Sequence, residues 1–109
     1  MHHNIWALKR HTDIKYLLLR LTEVLGDKSF LVHAPEEGHQ QSIDLVSPEN
    51  LSVRAYIYTF CQEPGFFGLV IDYPILTDNN LESTETSHEN ISFDTLIELL
   101  AAHFDVVDY

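Results

Sequence analysis

The hydrophobic period of this chain changes after residue 26, and that change limits the fold to helices combined with a sheet. After Thr12 and Asp13, which resemble an N-cap and a first-turn acid, apolar residues recur at helical spacing up to Leu25. Gly26 then provides a stop, because glycine enters the left-handed conformation without strain. The spacing predicts a helix over 13–25. Its apolar stripe consists of Ile14, Leu17, Leu18, Leu21, Val24 and Leu25. Ile5, Trp6 and Leu8 could add a short turn before this helix.

From residue 29 onward the period is 2, which is typical of strands. The pattern predicts four strands over 29–34, 41–47, 51–60 and 66–73, separated by short segments that contain proline or glycine. Connections this short favour antiparallel neighbours, so a four-stranded meander is the simplest topology.

The C-terminal part is predicted to be a long polar loop followed by a second helix. Residues 77–90 are rich in carboxylates and amides and are predicted to form an acidic loop. Ser92 is then placed to cap a helix, with Ile91 and Leu96 at the positions of a hydrophobic staple. Its apolar stripe consists of Phe93, Leu96, Ile97, Leu100 and Phe104. The tail 105–109 could add an edge strand.

These elements predict one α+β domain over 1–109 in the order α-β-β-β-β-α. An antiparallel sheet of about four strands carries an N-terminal and a C-terminal helix, both expected on one face. The pattern does not decide whether residues 1–11 are ordered or flexible.

The third predicted strand has two different faces. One face carries Val53, Ala55, Ile57 and Thr59, and the other carries Arg54, Tyr56, Tyr58 and Phe60. If the helices cover the aromatic face, it is ordinary core with tyrosine hydroxyls at its rim. If they cover the smaller side chains, the aromatic face is open and has the composition of an interface hot spot. The sequence leaves both alternatives open.

The charge of the chain favours one class of partner. The net charge is −11; residues 1–28 hold five basic and three acidic residues, whereas 29–109 hold one basic and fourteen acidic residues. Such a field attracts basic proteins and opposes binding to nucleic acid or to anionic membranes. The chain contains no apolar segment that predicts a transmembrane helix or a signal peptide, which favours the cytoplasm.

No motif indicates catalysis or a cofactor. The histidines, including His33 and His39, do not show the tight spacing of zinc ligands, so they are interpreted as exposed loop residues and no metal is expected. Cys61 follows Phe60 at a predicted strand end and is expected to be a small buried thiol. We therefore expect a binding protein without enzymatic activity and without a cofactor.

In size, charge and α+β pattern the chain resembles the small acidic immunity proteins of bacterial toxin systems, including contact-dependent growth inhibition. The resemblance includes no diagnostic motif, so it assigns no residue. It implies a dedicated basic toxin as partner, a nuclease in the first instance, bound in the cytoplasm by carboxylates that occupy its active site. The oligomeric state is open, with a monomer favoured. The expected contact residues are Asp72, Asp78, Glu82, Glu85, Glu89, Tyr56, Tyr58, Glu36 and Glu37.

Two alternatives remain at this point. A dimeric acidic secretion chaperone would hold a segment of an effector protein against its sheet. A small-ligand-binding or catalytic domain would use His33 or His39 in a deep pocket lined by carboxylates with perturbed pKa values.

Overall fold

The computed structural model describes residues 5–77 and 80–107, which form two helices against a five-stranded antiparallel sheet in the order β1-β2-β3-β4-β5. A short 3-10 helix, Ile5–Ala7, precedes α1, Thr12–Leu25. The strands are β1, Leu31–His33, β2, Ser42–Val46, β3, Arg54–Tyr58, β4, Phe67–Thr77, and β5, Asn80–Ile91. The last helix is α2, Phe93–His103. The predicted α+β class with terminal helices is confirmed, with five strands instead of about four.

The additional strand is the segment that the sequence predicts to be an acidic loop. Residues 80–91 pair with β4 over almost their whole length, so the prediction of a loop over 77–90 is wrong. The physical reason is that an edge strand with exposed faces needs no apolar alternation, because its ladder of backbone hydrogen bonds and its threonines are compatible with a polar sequence. Asp78, one of the expected contact residues, lies outside the described residues.

Strand β4 also continues past Pro74, where the sequence predicts that it ends. The pairing of β3 with β4 stops at Asp72, while the pairing of β4 with β5 continues to Thr77 and sets Pro74 opposite Ser83. Beyond Asp72, β4 therefore has a neighbour on one side only, which is the situation in which a strand tolerates a residue without an N–H. The two strands leave the sheet together as a two-stranded arm.

Both helices pack on the same face of the sheet. Ala55 and Ile57 are fully buried, at 0% exposure, within one cluster that also contains Leu18 and Leu21 of α1 and Leu100 of α2. Because side chains alternate along a strand, the other β3 face must point away from the helices. The face that the sequence leaves undecided is thus settled: the helices cover the smaller side chains.

Two of the three helix ends predicted from the sequence agree with the structure. Gly26 ends α1 at φ 93° and donates its N–H to the Thr22 carbonyl, and Ser92 caps α2 by accepting from the Thr95 N–H. The predicted N-cap at Thr12 is wrong by one residue. His11 is the N-cap, because its carbonyl already accepts from the N–H groups of Ile14 and Lys15. Residues 105–107 do not continue as a strand.

A buried arginine holds the N-terminal segment against the sheet. Arg10 is only 6% exposed, and its guanidinium donates to the carbonyls of Ser42 at 2.7 Å, Lys9 at 2.8 Å and Pro35 at 2.9 Å. A side chain at position 38 would overlap that guanidinium, so Gly38 leaves the space for it. Because three carbonyls in three directions match the planar fork of arginine, this contact fixes residues 5–11 and the loop between β1 and β2 together.

We expect Arg10→Lys to lower the free energy of unfolding by about 1–3 kcal/mol, because one ammonium cannot reach all three carbonyls and leaves buried acceptors without a partner. Urea denaturation measures the change. The matched control is Lys9→Ala, whose ion pair with Glu36 is exposed and should contribute less than about 0.5 kcal/mol. Equal stability of Arg10→Lys and the unaltered protein would contradict this role.

A candidate protein-binding face on the sheet

The open face of the sheet carries a row of stacked aromatic side chains. Tyr56 and Tyr58 have ring centroids 5.6 Å apart, Tyr58 and Phe60 are stacked at 4.6 Å, and Phe60 lies 4.4 Å from the ring of His39. We call these four residues the aromatic row. It starts in the middle of β3 and ends on the loop between β1 and β2, so it crosses one end of the sheet.

Tyr58 is held rigidly within this row. Its ring lies flat over Gly68 of β4, where a Cβ atom would overlap the ring, and the residue is only 8% exposed. Its hydroxyl donates to Glu89 Oε1 at 3.3 Å. Burial raises the pKa of Tyr58, and the neighbouring charge of Glu89 raises it further. The hydroxyl therefore stays a proton donor at neutral pH, and the row presents a preformed apolar surface with a polar rim.

Carboxylates of β4 and β5 share the open face with the aromatic row. The register sets Asp72 opposite Arg54 of β3 and opposite Glu85 of β5, which places all three on the open face. Glu89 reaches the same face through its contact with Tyr58. The structure thus brings together five of the residues expected to contact a partner. They are Tyr56, Tyr58, Asp72, Glu85 and Glu89.

One carboxylate of this face, Asp44, was not among the contact residues predicted from the sequence. Asp44 of β2 lies opposite Tyr56 and next to His33 of β1. Burial raises the pKa of Asp44, and the positive charge of Arg54 opposes that shift. Its position between two apolar residues, Ile43 and Leu45, could have predicted this placement. Both are buried, and alternation along the strand then directs Asp44 to the other face.

Glu82 does not join this group. It lies opposite Ile75 on the two-stranded arm, three positions before Glu85, so the two side chains occupy opposite faces of β5. Glu82 is exposed there. It can contribute to the long-range field, but it cannot contact the same flat surface as Glu85.

Glu36 and Glu37 also lie apart, in the turn that follows β1. Both are exposed, and Glu36 forms an ion pair with Lys9 at 3.0 Å. This turn leads to His39, the last member of the aromatic row. The two glutamates are thus close to the loop end of the row in sequence, whereas Glu89 contacts Tyr58 directly.

Cys61 is exposed, and the expectation of a buried thiol is wrong. Alternation from Ile57 and Thr59 would direct it toward the core, but β3 ends at Tyr58 and Cys61 adopts a left-handed conformation with φ 56°. This turn carries the side chain to the surface.

Three histidines of the described residues, His33, His39 and His103, lie on different elements of the fold. His33 and His39 are exposed, and within 5–77 and 80–107 no three His, Cys, Asp or Glu side chains gather closely enough to hold a metal ion. His103 lies on the helix side, where its Nε2 is 2.7 Å from the Arg54 carbonyl oxygen. Burial lowers the pKa of His103.

A groove of about 370 Å³ lies between α1 and the loop that follows β3. Its polar wall is already engaged internally, since Asp13 Oδ2 accepts from Thr59 Oγ1 at 2.6 Å and from Gln41 Nε2 at 3.4 Å. Neither His33 nor His39 lines it. No feature of this groove therefore favours the alternative of a histidine-based ligand site.

Comparison with protein-family models, with curated proteins and with solved structures found no match for this chain. No helix within the described residues has both the length and the apolar character needed to cross a membrane.

We expect Gly68→Ala to lower the free energy of unfolding by about 1–3 kcal/mol, because the added methyl group displaces the Tyr58 ring. The same substitution in a Tyr58→Ala background should cost less than about 1 kcal/mol, because the space above residue 68 is then free. Chemical denaturation of the four proteins closes the cycle. Equal costs in both backgrounds would show that the ring does not depend on Gly68.

We expect Asp44→Asn to raise the melting temperature at pH 7. The folded-state pKa of Asp44 lies above its unfolded value, so its ionisation costs stability as the pH rises through these values. Below about pH 3.9, the ordinary value of an aspartate, the gain should vanish. Thermal denaturation at both pH values measures it. Glu49→Gln, which removes an exposed charge, is the control; an equal gain in the control would assign the effect to net charge alone.

Proposed function

We propose that this chain is an immunity protein that binds and neutralises a basic toxin domain, a nuclease in the first instance, in the cytoplasm of a bacterium. The observation that carries the proposal is the aromatic row on the uncovered sheet face, with Glu89 hydrogen-bonded to Tyr58 and with Asp72 and Glu85 farther along the same face. An enzyme would need a reactive group in a shaped pocket, whereas this surface has the composition of a protein interface.

Rigid aromatic side chains give this surface the features of a binding hot spot. Tyr58 is fixed by Gly68 and Glu89, and Tyr56 and Phe60 stack on either side of it. Little conformational entropy remains to be lost when a partner covers the row, so the buried area can contribute to affinity. Tyrosine also offers a hydroxyl at the rim for hydrogen bonds to the partner.

The distribution of charge suits a basic partner. Lys15 and Arg20 lie on α1, which packs against the other face of the sheet, so these cations are away from the aromatic row. Asp72, Glu85 and Glu89 face the space where a partner would arrive. Opposite charge accelerates association, and carboxylates can fill sites that a nuclease uses for phosphates.

Co-expression tests the proposal directly. The open reading frame immediately upstream of this chain's own gene, expressed alone in a heterologous bacterium, should be toxic, and co-expression of this chain should restore growth. The purified pair should form a complex that abolishes degradation of nucleic acid in vitro. A neighbour that is harmless, or toxicity that persists with this chain present, would contradict the proposal.

We expect charge reversal on the open face to slow association with that toxin domain. The double variant Glu85→Lys and Glu89→Lys should lower the association rate at least about tenfold and flatten its salt dependence. Tyr56→Ala should instead accelerate dissociation, with a loss of about 2 kcal/mol or more in affinity. Stopped-flow kinetics at two salt concentrations separate the two effects.

The matched control is Glu23→Lys with Glu98→Lys, which changes the net charge equally at exposed positions of α1 and α2. Its association rate should fall much less than that of the double variant. Equal slowing in both variants would show that only total charge matters. Unchanged affinity of the variant with Glu85→Lys and Glu89→Lys would refute acidic contact at this surface.

A dimeric secretion chaperone is the second candidate, because an open sheet face could equally hold a segment of an effector protein. Solution mass distinguishes the two. A stable dimer that binds an effector segment favours the chaperone, and a monomer that joins the toxin domain one to one favours the immunity protein.

A further inference from the structure

Within residues 5–77 and 80–107, strand β5 leaves one long edge of the sheet without a neighbouring strand. It spans Asn80–Ile91, pairs with β4 alone and stands last in the strand order. Every second residue of such a strand directs its N–H and C=O groups outward, where they can pair with another chain. The opposite edge, β1, has only three residues. The described structure therefore offers one long edge and one short edge.

Two common protections of edge strands are missing along β5. The strand contains no proline and no lysine, and three consecutive residues, Glu85, Thr86 and Ser87, are exposed. The edge closes only at its C-terminal end. There the Asn90 N–H donates to Gln62 Oε1 at 2.6 Å, and Asn90 Oδ1 accepts from the Glu63 N–H at 2.9 Å. These contacts mark where an added strand would have to stop.

Glutamates select what can pair with this edge. In an antiparallel pairing of β5 with a second copy, centred on Glu85, the two Glu85 side chains would face each other. If the register were shifted by one residue, so that Glu85 of one copy faced Thr86 of the other, Glu82 of one copy would face Glu89 of the other. Like charges directly opposite one another destabilise a sheet, so these glutamates oppose self-pairing. An incoming strand with lysine or arginine at those positions would instead gain three opposite-charge pairs.

We infer that a basic, extended segment of the protein partner adds to the outer edge of β5 as a sixth strand. The inference rests on the proposed function, since it specifies how the basic toxin is held. Backbone hydrogen bonds would supply the attachment, and Glu82, Glu85 and Glu89 would supply the choice of partner. The added strand would lie beside the open face and extend it.

A designed peptide tests this edge with the full chain. Acetyl-KTVTKVTK-amide, laid antiparallel along β5, sets its three lysines opposite Glu89, Glu85 and Glu82. We expect it to bind and to slow amide hydrogen exchange in β5 but not in β1. The same peptide with glutamate in place of lysine should bind at least about tenfold more weakly, because like charges then face each other.

N-methylation separates strand addition from simple charge attraction. Two further peptides carry N-methyl groups at their odd or at their even positions, which leaves the lysine charges unchanged. Only one of these sets directs its amides at β5, so one peptide should lose at least about tenfold in affinity and the other should retain it. Equal binding of both, absence of protection in β5, or no binding of the unmodified peptide at millimolar concentration would each overturn the inference.

Hydrogen exchange in the toxin complex keeps this inference distinct from the proposed function. A complex that neutralises the toxin while the outward amides of β5 still exchange freely would overturn strand addition and leave the proposed function standing. If the peptide pairs with β5 but the chain neutralises no toxin, strand pairing at this edge would stand and the proposed function would be overturned. Protection of β5 in the neutralising complex would support both.

Discussion

The burial of one sheet face under two helices is the constraint on which the rest of the structure depends. Ala55 and Ile57 supply the centre of the covered face, and Leu18 and Leu100 supply the helical side of the same core. Once these residues are buried together, alternation along β3 directs every intervening side chain to the other face. The aromatic row therefore lies on the uncovered face as a consequence of core packing. The larger side chains of β3 point away from the helices because the smaller ones fill the space under them.

The same packing separates the charges of the chain. The guanidinium of Arg10 is buried and hydrogen-bonded to three backbone carbonyls, and Lys15 and Arg20 lie on α1. The carboxylates of β4 and β5 occupy the sheet and its arm. The fold therefore gives the negative charge a direction, because these carboxylates lie on the sheet side of the molecule. Electrostatic steering of a partner requires such a directional field. Arg54 interrupts the acidic surface at one point, and it lies opposite Asp72.

Local signals in the sequence predicted the elements whose stability comes from their own residues. Both helices have a continuous apolar stripe and a recognisable end, so the period and the caps at Gly26 and Ser92 locate them within a residue or two. The first four strands were predicted for the same reason. The sequence failed at β5, because a polar edge strand is stabilised by backbone pairing with β4, and side-chain periodicity carries little information about that pairing. It failed at Cys61 because the turn after β3 reverses the direction that simple alternation assigns.

The sequence by itself determined the α+β class, the order of the two helices and the first four strands, the acidic character and the two alternative faces of β3, because composition and periodicity are properties of neighbouring residues. Only the tertiary structure decided which face the helices cover, and only the register placed Asp72, Glu85 and Glu89 on the same face as Tyr56 and Tyr58 while it placed Glu82 on the other side. Those outcomes depend on contacts between residues far apart in the chain. The physical reason is that a side chain's partners across a sheet are set by strand pairing, and a one-residue shift of that pairing exchanges the two faces.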